Sequence, residues 1–94
     1  MSYKRITIAS GATITDEVIE LTKTNFMPQI KEMGAIDCVV VQTGPDSTVI
    51  ISTYADKAAA DASAAKAAAL RAESQERFNH PAPTVLEGEV IVTM

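Results

Sequence analysis

Ninety-four residues suit a single small domain, and a net charge of −4 argues against nucleic acid or an anionic membrane as partner, because both select basic patches. Apolar residues make up 47% of the chain, but fifteen are alanine, and two Phe, two Tyr and no Trp leave the core thin. One cysteine excludes an internal disulfide and no Cys/His cluster offers a metal clip, so self-association is the expected support for so small a core.

The opening "MSYKRITIAS" lacks the apolar centre of a signal peptide, which gives the expectation of a cytoplasmic protein with Cys38 reduced. Within it "YKRITIA" alternates and is rich in strand formers, so residues 3–9 read as a strand. "SGATITDEV" then supplies a turn and a helix start: Thr13 or Thr15 caps, and Asp16, Glu17 and Glu20 complement the positive end of the helix dipole. The helix is predicted over residues 15–33, with Gly34 as its left-handed cap. Ile14, Val18 and Leu21 form one apolar stripe, whereas Phe26, Ile30 and Met33 form another, rotated about the axis. Pro28 lies where they change over. An interior Pro removes a backbone hydrogen bond and costs roughly 3 kcal/mol, so a kink or split is expected at residues 24–27, bringing both stripes to one sheet.

"IDCVVVQ" (residues 36–42) reads as a second strand with apolar side chains on both faces, and "TVIISTY" (residues 48–54) as a third. "TGPDS" between them has Pro45 and Asp46 at turn-favouring positions, which makes the pair a hairpin. Asp56 caps an alanine-rich helix expected to end near Phe78, "NHPAP" breaks it, and "TVLEGEVIVTM" supplies the last strand. The runs at residues 39–41 and 49–51 are far too short to span a membrane, and Asp61 and Lys66 interrupt the alanine segment. Strand, helix, strand, strand, helix, strand is the order of the split βαβ, ferredoxin-like motif. The expected fold is α+β, one domain over residues 1–94, a four-stranded antiparallel sheet with two helices on one face.

The alanine helix poses the functional question. With Leu70 as the buried reference, Ala59, Ser63, Ala67, Ser74 and Phe78 share its face, and between Ala58 and Ala69 there is no large apolar side chain. Either its methyls mesh closely with the sheet, against Ile50 and Ile6, or the helix stands at ordinary distance and leaves space for an apolar ligand. The opposite sheet face is apolar too, and a second copy of the same sheet is its simplest cover. A homodimer joined sheet to sheet as a barrel-like unit is therefore expected.

These features resemble the dimeric α/β-barrel superfamily, which contains antibiotic-biosynthesis-type and haem-degrading monooxygenases. The carriers are "KRITIASG", Gly34 after the first helix, the turn "GPDS", and the aromatic before the second helix in "ISTYADKAAA". The resemblance implies the fold and the dimer more than any chemistry. Haem degradation in this superfamily uses an Asn on the first strand, a Trp before the second helix and a His within it. Here Lys4 or Thr7, Tyr54 and alanines stand in those places, so haem chemistry is disfavoured and no cofactor is expected. The cofactor-independent oxygenases of the superfamily carry no equally fixed motif. What they imply is a polar pocket group that stabilises an anionic substrate while oxygen reacts with it.

Individual residues divide between chemical and structural roles. His80 is the sole histidine, either a general base at a pocket mouth or a surface-loop residue held extended before Pro81. Tyr54, sharing a strand face with Ile50 and Ser52, either points its hydroxyl into a helix–sheet pocket or packs its ring with the hydroxyl in water. Glu87 and Glu89 share one side of the last strand without converging partners, and Gly88 between them is a candidate bulge. Cys38 among strand aliphatics reads as a small buried hydrophobe, and Asn25 as a cap of the broken turn. The first expectation is a homodimer that binds an apolar small molecule, acyl-chain-like or polycyclic, lined by Ile6, Ile8, Phe26, Ile30, Ile50, Ser52, Leu70 and Phe78 and oriented by Tyr54. The alternatives are a cofactor-free monooxygenase-like enzyme using Tyr54 or His80 in the same pocket, and a structural or regulatory dimer without ligand.

Overall fold

Strand-forming residues on a two-residue period make Tyr3–Ser10 the first strand, β1. The computed structural model describes residues 2–94, and no helix among them is long and apolar enough to cross a membrane. After β1 the backbone turns at Gly11 (φ +94°), and the loop is pinned to the later hairpin: the amides of Gly11 and Ile14 donate to the carbonyls of Asp46 and Pro45 at 3.0 and 3.2 Å.

The first helical segment is divided. Thr15 caps α1 (Asp16–Leu21) by accepting the Val18 amide at 3.2 Å, and α2 (Met27–Glu32) follows after a π-helical turn over Thr22–Phe26. Pro28 is the physical cause of the break. It has no amide proton, and its ring crowds the carbonyl four residues back, at Thr24; widening the turn relieves both conflicts. The Met27 amide accordingly donates to Thr22 O, five residues back, and Thr24 Oγ1 donates to Glu20 O at 2.9 Å. The inserted residue turns the second stripe inward and buries Phe26. At the end of α2, Gly34 takes φ +105°, with Gly34 N–H donating to Lys31 O and Ala35 N–H to Ile30 O, a Schellman closure.

Then come β2 (Asp37–Gly44), β3 (Ser47–Tyr54), α3 (Lys57–Phe78) and β4 (Thr84–Glu89). Asp56 caps α3 by accepting the Ala59 amide at 2.8 Å, and Asn79 ends it at φ 53°. The strands form one antiparallel sheet in the order β2-β3-β1-β4, the expected split βαβ arrangement. The last strand is shorter than "TVLEGEVIVTM" suggests. Tyr3 pairs with Glu89, so beyond this point β1 offers no partner except Ser2, whose carbonyl accepts the Val90 amide.

Register assigns the faces. Toward the helices Cys38, Ser52, Arg5 and Glu87 make one cross-strand row, and Val40, Ile50, Thr7 and Val85 the next. On the outer face the rows are Val39, Ile51, Ile6, Leu86 and Val41, Val49, Ile8, Thr84. Ile6 and Ile8 therefore do not face the helices as the sequence reading supposed. A strand's side chains alternate, so once Arg5 and Thr7 point inward these two must point outward. Ile8 is 43% exposed and Leu86 53%.

The alanine helix packs in two ways. Its first half lies close to the sheet, with Ala60 and Ser63 buried at 0% and 1% exposure, and Ala35, Tyr54 and Ala60 form the core cluster. Its second half, from Ala67 to Phe78, overhangs a cavity.

Candidate functional site

Alanine side chains on α3 and the bend at Phe26 leave a cavity of about 510 Å³ between the helices and the inner sheet face. That volume is within the range of small-molecule sites. Val40 and Ile50 line its floor, Val18, Phe26 and Ile30 one wall, and Ala67, Leu70 and Phe78 the other. The Phe26 and Phe78 rings meet edge to face, centroids 5.9 Å apart at 68°, joining the first helical segment to α3.

At one end of the floor stands Arg5, 4% exposed. A guanidinium buried this deeply needs acceptors. Nη1 donates to Tyr54 Oη at 2.8 Å and to Ser63 Oγ at 3.0 Å, and Nη2 donates to Ala60 O at 3.0 Å. Its central carbon is 5.1 Å from the Tyr54 ring centroid, within cation–π range. The nearest carboxylate oxygen, Glu87 Oε2, is 3.6 Å from Nε, too far for a hydrogen bond, and Nε has no acceptor among the described residues. Because Tyr54 Oη receives the Arg5 bond, its own proton is left over, and it meets no acceptor among the described residues. Arg71, half-buried on α3, also lines the cavity and makes no ion pair among the described residues. Burial, and next the positive charge of Arg5, lower its pKa.

His80 closes the far end of α3. Its Nδ1 lies 2.7 Å from the Pro81 carbonyl and its Nε2 3.0 Å from Ser74 Oγ. A carbonyl only accepts, so Nδ1 carries a proton, and in the neutral ring Nε2 accepts from the Ser74 hydroxyl. Both side chains line the cavity. The arrangement gives the cavity two polar zones, a cationic phenol-bearing end at Arg5 and Tyr54 and a hydroxyl–imidazole pair on the wall. Groups of three or more His, Cys, Asp or Glu able to hold a metal are absent among the described residues.

No family model and no curated protein matches this chain in sequence. Solved structures do match in shape. A dimeric ferredoxin-like protein from an uncultured marine organism superposes with a TM-score of 0.68 at 16% identity, covering 99% of this chain and 98% of its own. The chain has a ferredoxin-like fold. A protein of unknown function from Nitrosomonas europaea gives 0.68 at 17% identity over 100% and 94% of the two chains. A monooxygenase of Streptomyces coelicolor, in complex with the ligand Nanaomycin D, gives 0.69 at 15% identity over 99% and 89%. The likeness to the dimeric α/β-barrel superfamily is thus one of fold.

Within this ferredoxin-like domain, Phe26, Ile30, Ile50, Ser52, Tyr54, Leu70, Phe78 and His80 come together around the cavity, while Ile6 and Ile8 lie on the opposite face. Tyr54 is 1% exposed, with its hydroxyl on Arg5. Glu87 stands beside Arg5, and Glu89 is exposed. Asn25 ties the helices together on the other side of the wall, receiving Gln29 Nε2 on Oδ1 at 3.3 Å and reaching Glu73 Oε2 at 3.5 Å. The Cys38 thiol is pushed up to about 11 by burial and then by Asp37, so it is not a neutral-pH nucleophile. Arg5 and Arg71 were not anticipated from the sequence; Ser63 and Ser74 were expected on the inward face of the alanine helix but not among the site residues.

Proposed function

We propose that the protein is a cytoplasmic homodimer, joined through the outer sheet face, that binds an apolar small molecule in the cavity of each subunit. The observation that carries the binding reading is the cavity of about 510 Å³ with mostly aliphatic and aromatic walls and polar groups gathered at Arg5 and Tyr54. An orienting polar end and an apolar body are the usual composition of such sites. The dimer reading is supported by two aliphatic rows on the outer face, by exposed Val39, Val41 and Leu86, and by a like-folded neighbour described as dimeric. Native mass spectrometry of protein taken directly from cells tests both. The expected species is twice the 10.0 kDa chain mass plus an apolar adduct. A monomer defeats the first half of the proposal; a dimer that neither retains nor takes up any apolar molecule defeats the second.

A second reading, a cofactor-independent monooxygenase, is favoured by the neighbour that is a monooxygenase with Nanaomycin D bound and by the Ser74–His80 pair in the cavity wall. In that reading His80 takes a proton from an acidic substrate, directly or through Ser74, and Arg5 and Tyr54 hold the resulting anion. Turnover that survives both His80→Ala and Tyr54→Phe counts against it.

A further inference from the structure

The charges around the cavity run opposite to those of the chain. The protein carries twelve Asp and Glu against eight Lys and Arg. Among the cavity-lining side chains, however, Arg5, Lys23 and Arg71 are cationic and only Asp46 is anionic. Asp46 belongs to the β2–β3 turn, at the opposite end of β3 from Tyr54. Of the two guanidiniums that line the cavity, Arg5 has the carboxylate of Glu87 3.6 Å from its Nε, and Arg71 has no carboxylate within ion-pair distance among the described residues. Arg71 follows Ala60 by eleven residues on α3, about three turns, so both point to the same side of the helix. Ala60 O is itself an acceptor for Arg5, which puts Arg71 on the side of α3 facing β1.

Burying a cation without an acceptor is costly, and an Arg fork matches a carboxylate in both geometry and charge. Arg5 spends its Nη groups on Tyr54, Ser63 and Ala60 O, whereas Arg71 makes no hydrogen bond or ion pair to another side chain among the described residues. Repulsion from Arg5 adds to the cost of its charge, and the Glu87 carboxylate offsets part of it. The unspent proton of Tyr54 offers a second point for an oxygen.

Resting on the reading of the cavity as a ligand site, we infer that its ligand is an amphiphilic carboxylic acid, whose apolar body lies against Phe26, Leu70 and Phe78 and whose carboxylate is bound by Arg71. The same chemistry is shared by acyl-chain acids and by aromatic polycyclic acids, and the test separates the two. Titration calorimetry of the full chain at neutral pH uses two matched probe pairs, decanoate with decan-1-ol and 2-naphthoate with 2-naphthamide. The expected result is that at least one acid binds about tenfold more tightly than its neutral partner, and that the pair showing the preference identifies the body. Arg71→Gln removes most of that preference by weakening the acids far more than their neutral partners, and Arg71→Lys restores part of it. Neutral probes that bind as well as the acids, or a preference that survives Arg71→Gln, overturn the carboxylate inference and leave the cavity reading standing. Failure of all four probes to bind overturns both.

Discussion

Replacing Tyr54 by Phe deletes one oxygen and keeps the ring. In the folded protein that oxygen accepts from Arg5 Nη1 at 2.8 Å, and among the described residues the only other acceptor of Nη1 is Ser63 Oγ at 3.0 Å. Arg5 is 4% exposed, so the bond is lost where bulk water does not substitute freely, and a hydrogen bond to a charged group contributes about 1.5–3 kcal/mol. The adjoining cavity lets a water approach from one side, which places the expected loss toward the lower part of that range, about 1.5–2 kcal/mol. For a domain of this size each kcal/mol lowers Tm by about 4–8 °C. Urea unfolding at fixed protein concentration measures the change, the concentration being held because the proposed dimerisation would shift apparent stability. Ser63→Ala in the same background sharpens the test. With both oxygens gone Nη1 has no acceptor, so the double variant should lose more than the sum of the singles, by about 1 kcal/mol. A Tyr54→Phe loss below about 0.5 kcal/mol, with additive behaviour in the double variant, would refute the view that these oxygens hold the guanidinium in place.

Ile8→Lys places a charge on the outer sheet face; sedimentation should then show a 10.0 kDa monomer that still takes up apolar probes, whereas loss of uptake in an intact dimer would return Ile8 to the cavity. Cys38, with its thiol near 11, is expected to resist alkylation at mildly alkaline pH until the protein is unfolded, since roughly a thousandth of it is thiolate three units below its pKa. Its raised folded pKa also gives a stability contribution that is whole below the ordinary thiol value of 9.0 and is lost as pH climbs from there through about 11, and stability flat across that window contradicts the assignment. Ala60→Leu forces bulk into a fully buried contact and should cost about 1–3 kcal/mol, whereas Ala67→Leu fills cavity space, leaves stability nearly unchanged and weakens probe binding; equal costs at the two sites would erase the distinction between the halves of α3.

Local chemistry was legible wherever one residue dictates one backbone state. Gly34, Asp56 and the Pro45–Asp46 turn each act through their own dihedrals or their own side-chain acceptor, so their roles follow without knowledge of the rest of the fold. Pro28 announced a break in the first helix but not its form, because a kink and a π-helical turn both relieve the Thr24 carbonyl, and packing of Phe26 chooses between them. The inward face of β1 was not legible. Alternation separates Arg5 and Thr7 from Ile6 and Ile8, but it does not say which set meets the helices, and the common preference for apolar side chains inside pointed the wrong way. The deciding facts are the pairings Arg5↔Ser52 and Arg5↔Glu87, which are long-range.

The composition of α3 explains why that preference fails here. An aliphatic helix over the inner face would favour Ile6 and Ile8 beneath it and expel Arg5. A helix with only methyls and a hydroxyl at positions 60, 63 and 67 approaches so closely that its backbone becomes reachable, and Ala60 O accepts Arg5 Nη2 at 3.0 Å. Close approach and small side chains are then one cause with two effects. In the first half of α3 they let the helix supply acceptors to a buried cation; in the second half, where Phe78 meets Phe26 of the bent first helical segment, the same lack of bulk leaves the cavity. The outward turn of Ile6 and Ile8 completes the arrangement, because it moves the aliphatic rows to the face that a second copy would cover. A polar-ended cavity and an apolar outer sheet are thus two consequences of one register.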